Sequence, residues 1–178
     1  MPEGARAARS GSFTPGKRAG KVRLLDIYVD ADACPVKHEI YNVAKRYGLE
    51  VILVSNSWMR TPDASWVRLV VVESGPDVSD DWIAEHAGDG DIVITGDIPL
   101  AWRCLHKGAK VLGNTGRPFT EDNIGDILAV RDLLHDLREE GTITRGPAPF
   151  AKADRSRFLQ ELDKMIVQIR RRSGIAPG

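Results

Sequence analysis

A chain of 178 residues, 42% apolar and 28% charged, has enough material for one domain with its own core. Its formal net charge is zero, but residues 1–21 carry five Lys/Arg against one Glu, residues 152–178 seven against three acids, and the body between them thirteen against twenty-one. That pattern suits cations in the body and polyanions at the ends; no apolar run is long enough to span a bilayer, and two cysteines without paired spacing exclude a zinc-ribbon or disulfide framework.

Residues 1–21 are rich in Gly, Ala, Ser, Pro and base, and read as a disordered tail without the apolar core of a secretion signal, as expected of a cytoplasmic protein. Leu24 to Asp30 is apolar and β-branched or aromatic, and predicts a buried first strand. Asp30 and Asp32 stand one residue apart where it ends. Cys34-Pro35 then opens a helix with Val36, Ile40, Val43, Ala44 and Tyr47 on one face and Gly48 closing it, since proline suits a first turn and glycine the position after the last. A thiol at a helix start can have a lowered pKa, but Cys34 and Cys104 read more simply as two reduced thiols.

Glu50–Ser55 is the second strand, Asn56 to Pro62 a turn region, and Val67 to Val72 the third strand. Ser79 is the expected N-cap of a helix that carries Asp80 and Asp81 in its first turn and ends near Gly88. Asp91 to Thr95 is the fourth strand, followed by Gly96-Asp97, a helix from Pro99 to Lys107, a short fifth strand from Ala109 to Leu112, and a loop from Gly113 to Pro118. Thr120 caps a helix over Glu121 to Glu140 with Ile124, Ile127, Leu128, Leu134 and Leu137 on one face. A linker from Gly141 to Pro149 precedes the last helix, Asp154 to Arg172, whose stripe is Phe158, Leu162, Met165, Ile166 and Ile169. Residues 173–178 are a flexible end. Strands and helices in alternation imply one α/β domain over 22–172, with a mainly parallel sheet of about five strands, the first central, and helices on both faces.

In such a sheet the residues after the strands gather on one edge. Asp30 and Asp32 follow the first strand, Asp77, Asp80 and Asp81 the third, and Asp97 the fourth. Acids converging there make an oxygen-rich site suited to Mg²⁺ or Mn²⁺, which can activate water and stabilise a phosphoryl transition state. Asn56, Arg60, Asn114 and Arg117 lie in loops on that edge and are candidates for holding phosphate or a base edge, and Thr95 can supply a hydroxyl. The four tryptophans, Trp58, Trp66, Trp82 and Trp102, can stack on bases but read more simply as packing.

The motifs VDADACP at 29–35, GPDVSDDWI at 75–83, ITGDIPLA at 94–101 and LGNTGRPFT at 112–120 resemble those of the YaiI/YqxD family of bacterial proteins. Similarity extends over residues 27–170, with Gly96 standing where many relatives have Ala. The family's fold is similar to PIN-like and NYN nuclease domains, so the resemblance implies a PIN-like three-layer sandwich and a metal-dependent nuclease or phosphodiesterase acting on RNA. Carried over on that basis, Asp30 matches the first nuclease acid and Asp97 the acid after the fourth strand, with Asp77 and Asp80 in the middle acidic motif. Asp30, Asp80 and Asp97 are then the expected metal ligands and Asp32 or Asp77 the group that handles the attacking water. Two alternatives stay open: a non-catalytic nucleic-acid or nucleotide-binding module, and a haloacid dehalogenase-type phosphatase using Asp30 and Asp32.

Overall fold

The computed structural model describes residues 25–144, 146 and 148–174; the expected basic tail and the stretch from 175 onward lie outside the described residues. Six strands, β1 (Asp26–Asp30), β2 (Glu50–Ser55), β3 (Val67–Val71), β4 (Ile92–Ile94), β5 (Lys110–Leu112) and β6 (Pro118–Phe119), form one sheet in the order β3-β2-β1-β4-β5-β6. The first five are mutually parallel, and β6 pairs antiparallel with β5. Five helices complete the chain: α1 (Lys37–Tyr47), α2 (Val78–His86), α3 (Ile98–His106), α4 (Glu121–Glu139) and α5 (Lys152–Arg172).

Strand alternation explains the layers. Ile27, Val29, Val51, Leu53, Ile92 and Ile94 point to one face and pack under α1 and α5. Tyr28, Ile52, Val54, Val93 and Val111 point to the other, under α2, α3 and the start of α4. Because both faces are covered, β1 at residues 27–29 and β2 at residues 51–54 are apolar at every position, whereas β3 sits at the sheet edge and is only half buried. The parallel β2 and β3 are joined without a helix; Met59 and Trp66 from the connecting loop pack against the α1 side instead. Among the described residues no helix is long and apolar enough to cross a membrane.

Chain direction follows from this order. After β1 the chain moves through β2 to the β3 edge, returns across β1 within α2, and continues outward through β4 and β5. The gap between β1 and β4 is therefore the point where winding reverses, and the carboxyl ends of strands flanking such a point open a crevice.

Several local expectations are corrected. The α1 helix begins at Lys37, so Cys34-Pro35 forms a turn before it, and Val36, not Cys34, precedes the first helical residue. Cys34 is a buried free thiol, and that burial pushes it up to about 11, opposite to the lowering a helix start can give. The N-cap of α2 is Asp77, with no side-chain capping bond, and Ser79 is buried within the first turn. The β6 strand replaces the end of a loop, a two-residue pairing too short to leave a periodic signal. Thr120 does cap α4, with Asn123 completing a reciprocal pair of bonds, and the whole expected stripe of α5 is buried. The α4 stripe is covered less fully: Ile124 is buried, and Ile127, Leu128, Leu134 and Leu137 are only partly buried.

Candidate functional site

Asp30 ends β1 and its carboxylate is half buried at the crevice. Thr95, fully buried after β4, donates its hydroxyl to Asp30 Oδ2 at 3.1 Å and accepts the Asp97 backbone N–H at 3.0 Å. One side chain thus fixes two acids from the two strands at the reversal point. Asp97 is the N-cap of α3: its Oδ1 accepts from Leu100 N at 2.8 Å, leaving Oδ2 for other use. Thr95, expected as a substrate contact, has its hydroxyl engaged inside the protein.

Asp32 is held differently. Its Oδ1 lies 2.5 Å from the Ser55 hydroxyl and its Oδ2 accepts Asn56 N at 2.9 Å, so both oxygens are tied to the end of β2. This bond pair fixes the β1–α1 loop against the β2–β3 loop. On the other side, Asn114 Nδ2 donates to Ala33 O at 3.1 Å and ties the same loop to the one after β5. The Oδ1 atoms of Asn56 and Asn114 are buried and have no hydrogen-bond partner among the described residues. A Cβ on Gly96 would lie 3.4 Å from Asn114 Nδ2, an ordinary contact, so alanine fits there without rearrangement.

Helix α2 brings the third acid. Asp77, exposed, has φ 62°, the one positive φ outside glycine among the described residues. Its carboxylate makes no capping bond, although α2 begins at the next residue. Asp80, half buried, is pushed up to about 6, first by burial and then by the charges of Asp97, Asp30 and Asp77, with Arg103 pulling the other way. Asp30 is also raised, again mainly by burial, with Asp32 and Asp97 adding to it and the Thr95 bond opposing it. Five acids spread over 68 positions of sequence, Asp30, Asp32, Asp77, Asp80 and Asp97, are therefore involved in the fields at Asp30 and Asp80. Asp81 does not join them: it pairs with Arg103 at 2.7 Å on the surface. Arg103 escaped the sequence reading because nothing local to α3 signals a partner on α2.

Around this edge lie the other candidates. Arg60 and Arg117 are exposed in the loops after β2 and β5, and no described residue bonds either guanidinium. Trp58, expected as packing, is 76% exposed, two residues beyond the Asn56 whose N–H holds Asp32. Among the described residues no three His, Cys, Asp or Glu side chains are gathered closely enough to form a ready-made cation cage.

The raised Asp80 has a measurable consequence. Its ordinary value is 3.8, so between about pH 4 and 6 the folded protein holds a proton that the unfolded chain has released. Stability contributed by Asp80 is therefore lost as pH rises through that window. The melting temperature of Asp80→Asn is expected to gain on wild type between pH 4 and 7; a difference independent of pH would mean that Asp80 is not raised in the folded protein.

Among known proteins, a family model described as "Uncharacterized BCR, YaiI/YqxD family" matches residues 28–168. A UPF0178 protein of Parvibaculum lavamentivorans is 60% identical over 149 residues, covering 84% of this chain and 98% of that one. One from Paramagnetospirillum magneticum is 58% identical over 148 residues, 83% and 98% of the two chains, and one from Gluconobacter oxydans 53% identical over 158 residues, 89% of each. No solved structure gives a significant match.

Proposed function

Starting from a chain that belongs to the YaiI/YqxD family, we propose that it is a divalent-metal-dependent phosphodiesterase with single-stranded RNA as its substrate. The observation that carries this reading is the convergence of Asp30, Asp77, Asp80 and Asp97 at the reversal point of a parallel sheet, where burial first, and then the neighbouring charges, push Asp80 up to about 6. Such an arrangement costs stability unless a cation offsets it. The lack of a closed cage fits Mg²⁺ or Mn²⁺, which keep several waters and need only one or two carboxylates. Asp30 and Asp97 are the direct ligands in this proposal, each with one oxygen held by the protein and one left over, and Asp80 completes the site through water. The ion supplies charge neutralisation at the phosphate and makes a nearby water more acidic.

The protein's own groups do the rest. Asp77 is the better base for that water, because both Asp32 oxygens already accept bonds from Ser55 and Asn56. The same two bonds weigh against a haloacid dehalogenase-type mechanism, which needs Asp32 to donate a proton. Arg60 and Arg117 have free planar forks for non-bridging phosphate oxygens. Trp58 offers an open ring face to an unstacked base, which favours a single strand over a duplex.

The test is cleavage of mixed-sequence single-stranded RNA with Mn²⁺ and with Mg²⁺, stopped by chelator. Absence of cleavage with every metal, alongside binding that survives chelation, would turn the reading to a binding module. Trp58→Ala is expected to weaken single-strand binding by about tenfold, the value of one stacked base. Anisotropy titration with a single strand and with the matching duplex checks it; equal losses on both would mean the ring does not stack.

A further inference from the structure

The last three arginines of α5, Arg170, Arg171 and Arg172, are not placed near the carboxylates. Helix α5 runs from the carboxyl edge, where Arg157 donates to Thr115 O at 3.4 Å, to the opposite edge, where Arg170 donates to Tyr47 O at 2.6 Å. Two cavities, of about 490 and 320 Å³, open along its second half. Both are bordered by Lys110, Met165 and Gln168, so they are two halves of one groove between α5 and the start of β5. The larger half reaches Glu121 and Asp122 in the first turn of α4, and its one lysine besides Lys110, Lys164, is paired with Glu161 at 3.6 Å.

The smaller half is different. It is lined by Lys110, Arg171 and Arg172 over a floor that includes Met165 and Ile169, and among the described residues no carboxylate lines it. None of those three cations has an ion-pair partner among the described residues. Arg171 and Arg172 suit the negative end of the α5 dipole, but Lys110 stands on a strand and owes nothing to it. Three unpaired cations around one cavity repel each other, and an anion in the cavity relieves that repulsion. The apolar floor, with a methionine sulfur, suits the flat face of a base or the carbons of a sugar next to the phosphate.

We propose that this basic half-groove is a second site, taking the phosphate of a nucleotide, free or within a strand, on the sheet edge opposite the carboxylates. It stands on its own observation and does not depend on catalysis at the carboxylate edge.

The experiment uses the full chain in EDTA at about 50 mM salt, where strand contacts are least screened. ADP is titrated by calorimetry and a short labelled single-stranded RNA by anisotropy. Gln168→Glu places a carboxylate among the three cations, Arg171→Ala removes one of them, and Lys152→Glu makes the same charge change as an added acid, or a larger one, on the far end of α5. All three positions are exposed, and melting curves confirm that each variant folds. The two groove variants are expected to weaken binding by about tenfold, with Lys152→Glu nearly unchanged. Arg171→Ala is also expected to lower the salt slope for the strand by about 0.7. Loss on ADP identifies a free nucleotide as the ligand; binding and loss on the strand alone identify a strand. No binding of either probe, or an equal loss with Lys152→Glu, would overturn the site.

Discussion

Asp97→Asn is expected to abolish metal-dependent cleavage of single-stranded RNA while leaving the fold intact. The two halves of that expectation rest on different atoms. Asp97 Oδ1 caps α3 by accepting from Leu100 N at 2.8 Å, and the amide oxygen of asparagine accepts that bond equally well. Its backbone N–H still meets Thr95 Oγ1 at 3.0 Å, so the tie to Asp30 survives. What disappears is one negative charge from a site that repels itself. The variant should therefore melt no lower than wild type without metal, and Asp80 should titrate closer to its ordinary value. Cleavage should fall by more than the roughly 100-fold that loss of even an outer-shell metal partner can cost. The measurement is RNA cleavage with Mn²⁺ by both proteins prepared side by side, with melting curves as the fold control. Equal cleavage would mean that the activity belongs to a contaminant or that Asp97 takes no part in it.

Gly116→Ala should produce the largest loss of stability of any single methyl addition on the site's edge. Gly116 has φ 80°, and a Cβ there would stand 2.5 Å from the backbone N of Phe158 and 2.6 Å from the carbonyl carbon of Arg157. Those are backbone atoms of α5, so no side chain can swing aside. Either the loop after β5 moves, which strains the Asn114 bond to Ala33, or α5 lifts from the sheet, which exposes the fully buried Phe158 and Leu162. A cost on the order of 3 kcal/mol is expected, a large share of a typical domain's stability. The melting temperature should drop by roughly 10 °C for a chain of this size. Gly141→Ala is the control: φ is 76° there, but nothing lies within 4 Å of the added carbon, so it reports the backbone strain alone. Equal effects at both positions would show that the approach of α5 to the loop does not hold the edge together.

The positions of strands and helices were legible because burial imposes period and run length. A strand covered on two faces must be apolar along its interior, and β1 at residues 27–29 and β2 at residues 51–54 are; Glu50–Ser55 was read to the residue. The α5 stripe was legible for the same reason, since every one of its five members is buried against the sheet. The α4 stripe misled because periodicity shows that a face is apolar, not that anything covers it; beyond Ile124 its large side chains are at most partly buried. The start of α1 misled because Cys34-Pro35 fits a helix opening locally, while the chain spends those residues on a turn that buries the thiol.

By itself, then, the sequence determined the alternation of strands and helices, the parallel sheet this implies, and the placing of the acids after strand ends, because each depends on neighbours a few residues apart. Tertiary structure alone decided how those acids divide. Asp32 is bound by Ser55 and Asn56, Asp81 is drawn off by Arg103, and Asp30 and Asp97 are locked together by one threonine hydroxyl. It also turned Trp58 outward beside the site and set three cations around a cavity on the opposite edge. Fields and hydrogen bonds act through space over a few ångströms, and Asp30 and Asp97, which share them here, lie 67 positions apart in the chain.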